Sequence, residues 1–207
     1  MPVRCVIISG GECSDIIGVT ENDFVIACDR GYEYAKNANI VPDLVVGDFD
    51  SYSGGIEPGV VTVKHPREKD DTDTMIAVRH AVEHGYKELI MFCALGGRLD
   101  HTYANLQAAA YAARNRLLTT VFDNSTIIYV LCNGTLQLPR RDGYSVSLFS
   151  HSDRCEQVTT QGLKYPLKEA VLTNDLPMGV SNEWDGERAA VSVGDGTLLI
   201  ILSKHDG

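Results

Sequence analysis

A change of rhythm near residue 124 constrains the fold of this 207-residue chain more than any other feature. Ahead of it, short β-rich runs alternate with helical patterns, the mark of a mostly parallel sheet covered by helices in a Rossmann-like three-layer α/β unit. The strand-like runs are Val3 to Ser9, Phe24 to Cys28, Leu44 to Val46, Val60 to Val63, Glu88 to Ala94 and Leu118 to Phe122. Between them, Thr74 to Glu83 sets Met75, Val78 and Val82 on one face at helical spacing, and Thr102 to Arg114 is an alanine-rich helix former. Beyond residue 124 the helical period vanishes. Alternating stretches such as Thr126 to Leu131, Tyr144 to Phe149, Ala189 to Val193 and Thr197 to Leu202 are punctuated by Gly, Pro, Asn and Asp. Gly194-Asp195-Gly196, between the last two, predicts a hairpin. The expected architecture is an α/β domain over 1–124 followed by a smaller all-β sandwich domain over 125–207.

Composition narrows the chemistry. Hydrophobic residues make up 44% of the chain, an ordinary supply for a core, and no apolar run approaches the length of a membrane span. The start turns polar too soon for a secretory signal, so a cytoplasmic setting is expected. Six cysteines lie scattered with no C-x-x-C pair, so neither a zinc ribbon nor a dithiol redox centre is suggested. A formal net charge of -10 argues against nucleic acid as a partner, because such surfaces need clustered Lys and Arg. An acidic protein still binds a polyanion where a divalent metal bridges its carboxylates to phosphates.

Four polar motifs follow four of the predicted strands: CDRG, GDFDS, KDDTD and GGRLDH. In open α/β sheets ligands bind outside the carboxyl ends of strands, so Asp29, Asp48, Asp50, Asp70, Asp71, Asp73 and Asp100 are expected near one crevice. Carboxylates so crowded repel one another by about 4 kcal/mol per close pair at an effective dielectric near 20, which calls for a cation such as Mg²⁺. Asp48 and Asp50 are two apart and share one side of an extended segment. Thr72 and Asp73 stand where the next helix begins, where backbone N–H groups are open to phosphate oxygens. Gly96 and Gly97 allow close approach of a ligand, Arg98 offers a fork of donors, and Lys69 is a second cation for phosphate. The phosphate-loop, dinucleotide, zinc-protease and nucleophile-elbow signatures are all missing from the sequence.

Taken in order, D-x-G, GDFDS, K-D-x-T-D, GGRLDH and the later GLKYPL and SNE closely resemble the thiamine pyrophosphokinase family, from about Asp29 to Glu183. The resemblance implies an enzyme that moves the β,γ-pyrophosphoryl group of ATP to the hydroxyl of thiamine, giving thiamine diphosphate and AMP. It implies Mg²⁺ on Asp48, Asp50 and Asp73, with Asp29, Lys69, Thr72, Gly97 and Arg98 around ATP and Asp100 completing the acidic cleft. Asp100 or Asp73 would accept the hydroxyl proton. It further implies Tyr165, Ser181 and Asn182 around thiamine, and a homodimer with active sites between subunits. Two other readings compete. A metal-dependent phosphohydrolase would use Asp48 of D-F-D-S as nucleophile, although the residues expected after that motif are missing, and a non-catalytic nucleotide sensor would turn nothing over.

Overall fold

The computed structural model describes residues 3–13, 15–47, 60–64 and 71–205, which form two compact units, Met1–Asn124 and Ser125–Gly207. Asp48, Asp50, Lys69 and Asp70 lie outside the described residues.

The first unit runs β1 (Arg4–Ile8), β2 (Phe24–Cys28), α1 (Gly31–Asn37), β3 (Leu44–Gly47), β4 (Val61–Lys64), α2 (Asp73–Glu83), β5 (Glu88–Phe92), α3 (Leu99–Arg114) and β6 (Leu118–Phe122). All its strand pairs are parallel, in the order β6-β5-β1-β2-β3-β4. The chain therefore steps outward from β1 to β4, then crosses back through α2 to the other side of β1. That reversal makes the junction of β1 and β5 the topological switch point. Strands buried on both faces read as continuous apolar runs, as VII of β1 and VIAC of β2 do.

Alternation along the strands sorts the helices into layers. Val6 and Ile8 of β1, Val25 of β2 and Phe92 of β5 pack with Tyr34 and Ala35 of α1 on one face. On the opposite face Phe24 stacks on His80 of α2, and the Cys28 thiol approaches the Asp73 carbonyl at 3.6 Å. α3 packs beside α2, so the sheet is sandwiched in three layers. Asp71 is tied to Arg79 of α2 at 3.0 Å, and that guanidinium lies 5.3 Å over the Tyr111 ring of α3. This gives Asp71 a helix-tying role. Helix α1 is absent from the sequence-based expectation because seven residues make under two turns, too few for a period to show.

The second unit is all-β: β7 (Thr126–Pro139), β8 (Tyr144–Ser150), β9 (Arg154–Gln161), β10 (Ala170–Thr173) and β11 (Arg188–Lys204), every pair antiparallel. The hairpin expected at Gly194-Asp195-Gly196 is not there. β11 continues through it as one long strand, pairing with β7 along one edge while the other edge serves β9 first and β8 afterwards. The two glycines mark a bulge instead: a Cβ on Gly194 would fall on the Gln157 side chain, and Gly196 has φ +119. Among the described residues no helix is long and apolar enough to cross a membrane.

Candidate active site

The first unit carries a cleft of about 820 Å³ along the carboxyl ends of β1, β2 and β5. Its walls come from the Gly10 to Cys13 turn after β1, Cys28 to Arg30 after β2, Thr72 to Thr74 at the start of α2, and Gly96 to Arg98 before α3. It thus opens at the switch point, where an open α/β sheet leaves space between diverging connections.

Local chemistry builds each wall. Asp29 takes a left-handed φ of 46, which Asp tolerates better than most residues, and its N–H donates to the Val46 carbonyl at 2.9 Å. A Cβ on Gly47 would collide with the Asp29 carboxylate, so the glycine of GDFDS leaves room for that group beside the end of β3. Thr72 caps α2, its hydroxyl accepting from Met75 N–H at 3.1 Å, and Asp73 stands in the first turn, where the helix dipole favours negative charge. Thr74 is buried, with its hydroxyl 3.1 Å from that of Ser9 at the end of β1.

The glycine loop after β5 holds two successive left-handed residues, Gly96 at φ +76 and Gly97 at φ +64. The Glu12 carboxylate fastens it by accepting the Gly97 N–H at 3.0 Å, while backbone bonds from Gly11 to Cys93 (2.8 Å) and Glu12 to Leu95 (3.1 Å) join the β1 and β5 loops. Arg98 then grips Asp100 through two bonds of 2.6 and 3.1 Å, and Asp100 also accepts from His101 N–H at 3.0 Å. The Arg98 hydrogen bond holds the Asp100 carboxyl below the usual carboxylate range and raises the guanidinium in turn. Both side chains are exposed, so the pairing sets direction more than stability.

Of the residues singled out by sequence, Asp29, Thr72, Asp73, Gly97 and Arg98 therefore meet in one cleft, with Asp100 turned onto Arg98 at its margin. Sequence reasoning missed Glu12, Arg30, Tyr34 and Asn105. Asn105 is buried in α3 and donates to the Ala94 carbonyl at 2.8 Å. The Gly10-Gly11 pair ending β1 was the available signal for this wall, since paired glycines after a strand mark a place where backbone is closely approached.

In the second unit Tyr165 and Asn182 are joined across 17 residues. The buried Asn182 amide accepts from Tyr165 N–H (3.0 Å) and Glu183 N–H (2.9 Å) and donates to the Tyr165 carbonyl (2.7 Å). The Tyr165 ring stays 60% exposed, with the Lys164 ammonium 5.6 Å from its centroid and Lys164 paired to Glu183 at 2.9 Å. Ser181, at φ 56, donates its N–H to the Ser147 hydroxyl at 3.0 Å, which leaves its own exposed side chain beside this group.

Two family models match the chain in succession: the catalytic domain of thiamin pyrophosphokinase over residues 19–121 and its vitamin B1 binding domain over 134–198. The chain belongs to the thiamin pyrophosphokinase family. A curated thiamine pyrophosphokinase of Bacillus subtilis is 28% identical, over 95% of this chain and 97% of the relative. The crystal structure of thiamine pyrophosphokinase from the same organism superposes with a TM-score of 0.89 at 26% identity, covering 98% of this chain and all of that one. A family member from Enterococcus faecalis gives 0.83 at 29% identity, with 98% and 100% covered. These relatives share the order of an α/β unit before an all-β unit, and they are spanned almost from end to end.

Proposed function

We propose that this chain is a thiamine pyrophosphokinase, transferring the pyrophosphoryl group of ATP to the hydroxyl of thiamine to give thiamine diphosphate and AMP. The observation that carries this reading is the succession of catalytic and vitamin B1 binding family models along one chain. The cleft supplies a physical rationale. Attack at the β-phosphorus requires the thiamine oxygen in line with the departing AMP oxygen, so positioning and charge neutralisation carry most of the catalysis. Arg98, aimed by its fork on Asp100, faces the triphosphate from the β5 side, and Gly97 lets the chain approach it closely. Lys69 and Thr72 complete the proposed ATP contacts.

Mg²⁺ fits the donor set. Among the described residues Asp29 and Asp73 line the cleft as carboxylates, hard oxygen donors of the kind this ion takes one or two of at a time, the rest coming from water and phosphate. Asp48, Asp50 and Asp73 would hold it, with Asp29 shaping the acidic wall. When bound, Mg²⁺ neutralises charge on the phosphoryl oxygens. Tyr165, Ser181 and Asn182 form the proposed thiamine contacts, the tyrosine offering an exposed ring to thiamine's flat rings. A homodimer with shared active sites and a cytoplasmic setting belong to the same reading.

Incubation with ATP, Mg²⁺ and thiamine, followed by chromatography, tests the proposal. AMP and thiamine diphosphate should form together, and only when all three are present. Free phosphate would instead indicate a phosphohydrolase, and no turnover a nucleotide sensor.

A further inference from the structure

We propose that Arg30, the unassigned position of the D-x-G motif, contacts the phosphate that stays on AMP, neutralising the leaving group. The inference deepens the kinase reading and rests on it.

Among the described residues two arginines line the cleft, Arg30 and Arg98. Arg98 is already committed to Asp100 through two hydrogen bonds. The Arg30 side chain, exposed in the same acidic cleft, makes no hydrogen bond or salt bridge among the described residues, while its backbone carbonyl accepts from Glu33 and Tyr34 N–H; its guanidinium lies 5.4 Å over the Tyr34 ring. A cation–π contact uses none of the guanidinium N–H donors in hydrogen bonds, so they stay available to a phosphate.

Tyr34 is buried, and its hydroxyl donates to the Gly11 carbonyl at 3.0 Å, which ties the platform beneath Arg30 to the turn after β1. A Cβ placed on Gly10 would lie 3.6 Å from the Arg30 Cβ, so the arginine stands directly beside the glycine pair. A cation held on a rigid support loses less freedom when it meets its ligand than a free surface arginine does.

The order β5-β1-β2 sets the Arg98 loop on one side of the β1 turn and Arg30 on the other. Two strand spacings separate their strands, about 10 Å. A triphosphate laid across the carboxyl ends of these strands spans from Arg98 to Arg30, and with its transferred end at Arg98 its α-phosphate lies at Arg30. As the thiamine oxygen bonds to the β-phosphorus, the α,β-bridging oxygen leaves with the bonding pair as an AMP phosphate oxygen, and the hydroxyl proton passes to a carboxylate. The charge that develops on AMP then lies on the Arg30 side, where a fixed cation favours the transition state.

The test compares binding of AMP and adenosine to the wild-type protein and to Arg30→Met. The binding comparison needs no turnover, so a failed kinase reading would show separately as absent thiamine-dependent AMP formation by the wild type. Wild type should prefer AMP over adenosine by about tenfold or more, and Arg30→Met should reduce that preference to within about twofold. Arg30→Lys, which keeps the charge but loses the fork, should fall between, and the thiamine KM of both variants should stay within about twofold of wild type. The proposal is overturned if Arg30→Met keeps the AMP preference, if wild type shows none, or if AMP and adenosine weaken equally, which would put Arg30 on the base.

Discussion

Replacing Asn182 with alanine tests whether the second unit presents Tyr165 as described. Asn182 is 6% exposed and spends its amide on three bonds, two of them to the backbone of Tyr165. The reciprocal backbone bonds between Asn182 and Val146, at 2.8 and 2.9 Å, do not involve the side chain and should survive. Each lost bond is worth about 0.5–1.5 kcal/mol net, which caps the loss of all three at roughly 4.5 kcal/mol. Water can reach the exposed Tyr165 end and replace part of that, so the expected loss of unfolding free energy in urea is about 2 kcal/mol. Because the freed loop carries the proposed thiamine ring contact, the thiamine KM should rise by about tenfold while the ATP KM stays put. A stability change below about 0.5 kcal/mol together with an unchanged thiamine KM would refute the clasp. Lost stability with an unchanged thiamine KM would leave the clasp standing and remove Tyr165 from the thiamine site.

Two further substitutions probe the first unit. Gly96→Ala forces a Cβ to within 2.6 Å of the Glu12 carboxylate at φ +76; it should cost about 1–2 kcal/mol in urea unfolding and raise the ATP KM without moving the thiamine KM. His80 has its pKa lowered, first by burial and then by the stacked His84, so folding favours its neutral form. The stability it contributes is complete above the ordinary imidazole range, near pH 6.5, and is lost as pH falls through the depressed folded value. A urea midpoint measured against pH should drop on acidification, and His80→Phe, which retains a ring against Phe24, should flatten that drop.

The sequence yielded most where periodicity is strong. The six parallel strands were legible because a buried strand reads as a bounded apolar run, and α2 and α3 because eleven and sixteen residues carry several turns of helical signal. At seven residues α1 does not. The bulge in β11 was misread because Gly194 and Gly196 suit a turn equally well; what separates the two is the uninterrupted partner β7, a non-local fact that no local pattern contains. Asp29, Thr72, Asp73 and Arg98 could be placed at one crevice because parallel strands deliver their following loops to one edge. Glu12 and Tyr34 escaped notice because their partners, Gly97 and Gly11, are joined to them only by the folded loops. Tyr165 and Asn182 sit in irregular segments, and only the family resemblance singled them out.

The central claim is transfer of an intact pyrophosphoryl group, and positional labelling of ATP tests it most directly. With Mg²⁺ and thiamine present, label in the β- and γ-phosphates should both appear in thiamine diphosphate in equal amounts, while α-label should appear in AMP alone. Label recovered as free phosphate, ADP accumulating alongside thiamine monophosphate, or AMP forming at the same rate without thiamine would contradict the account.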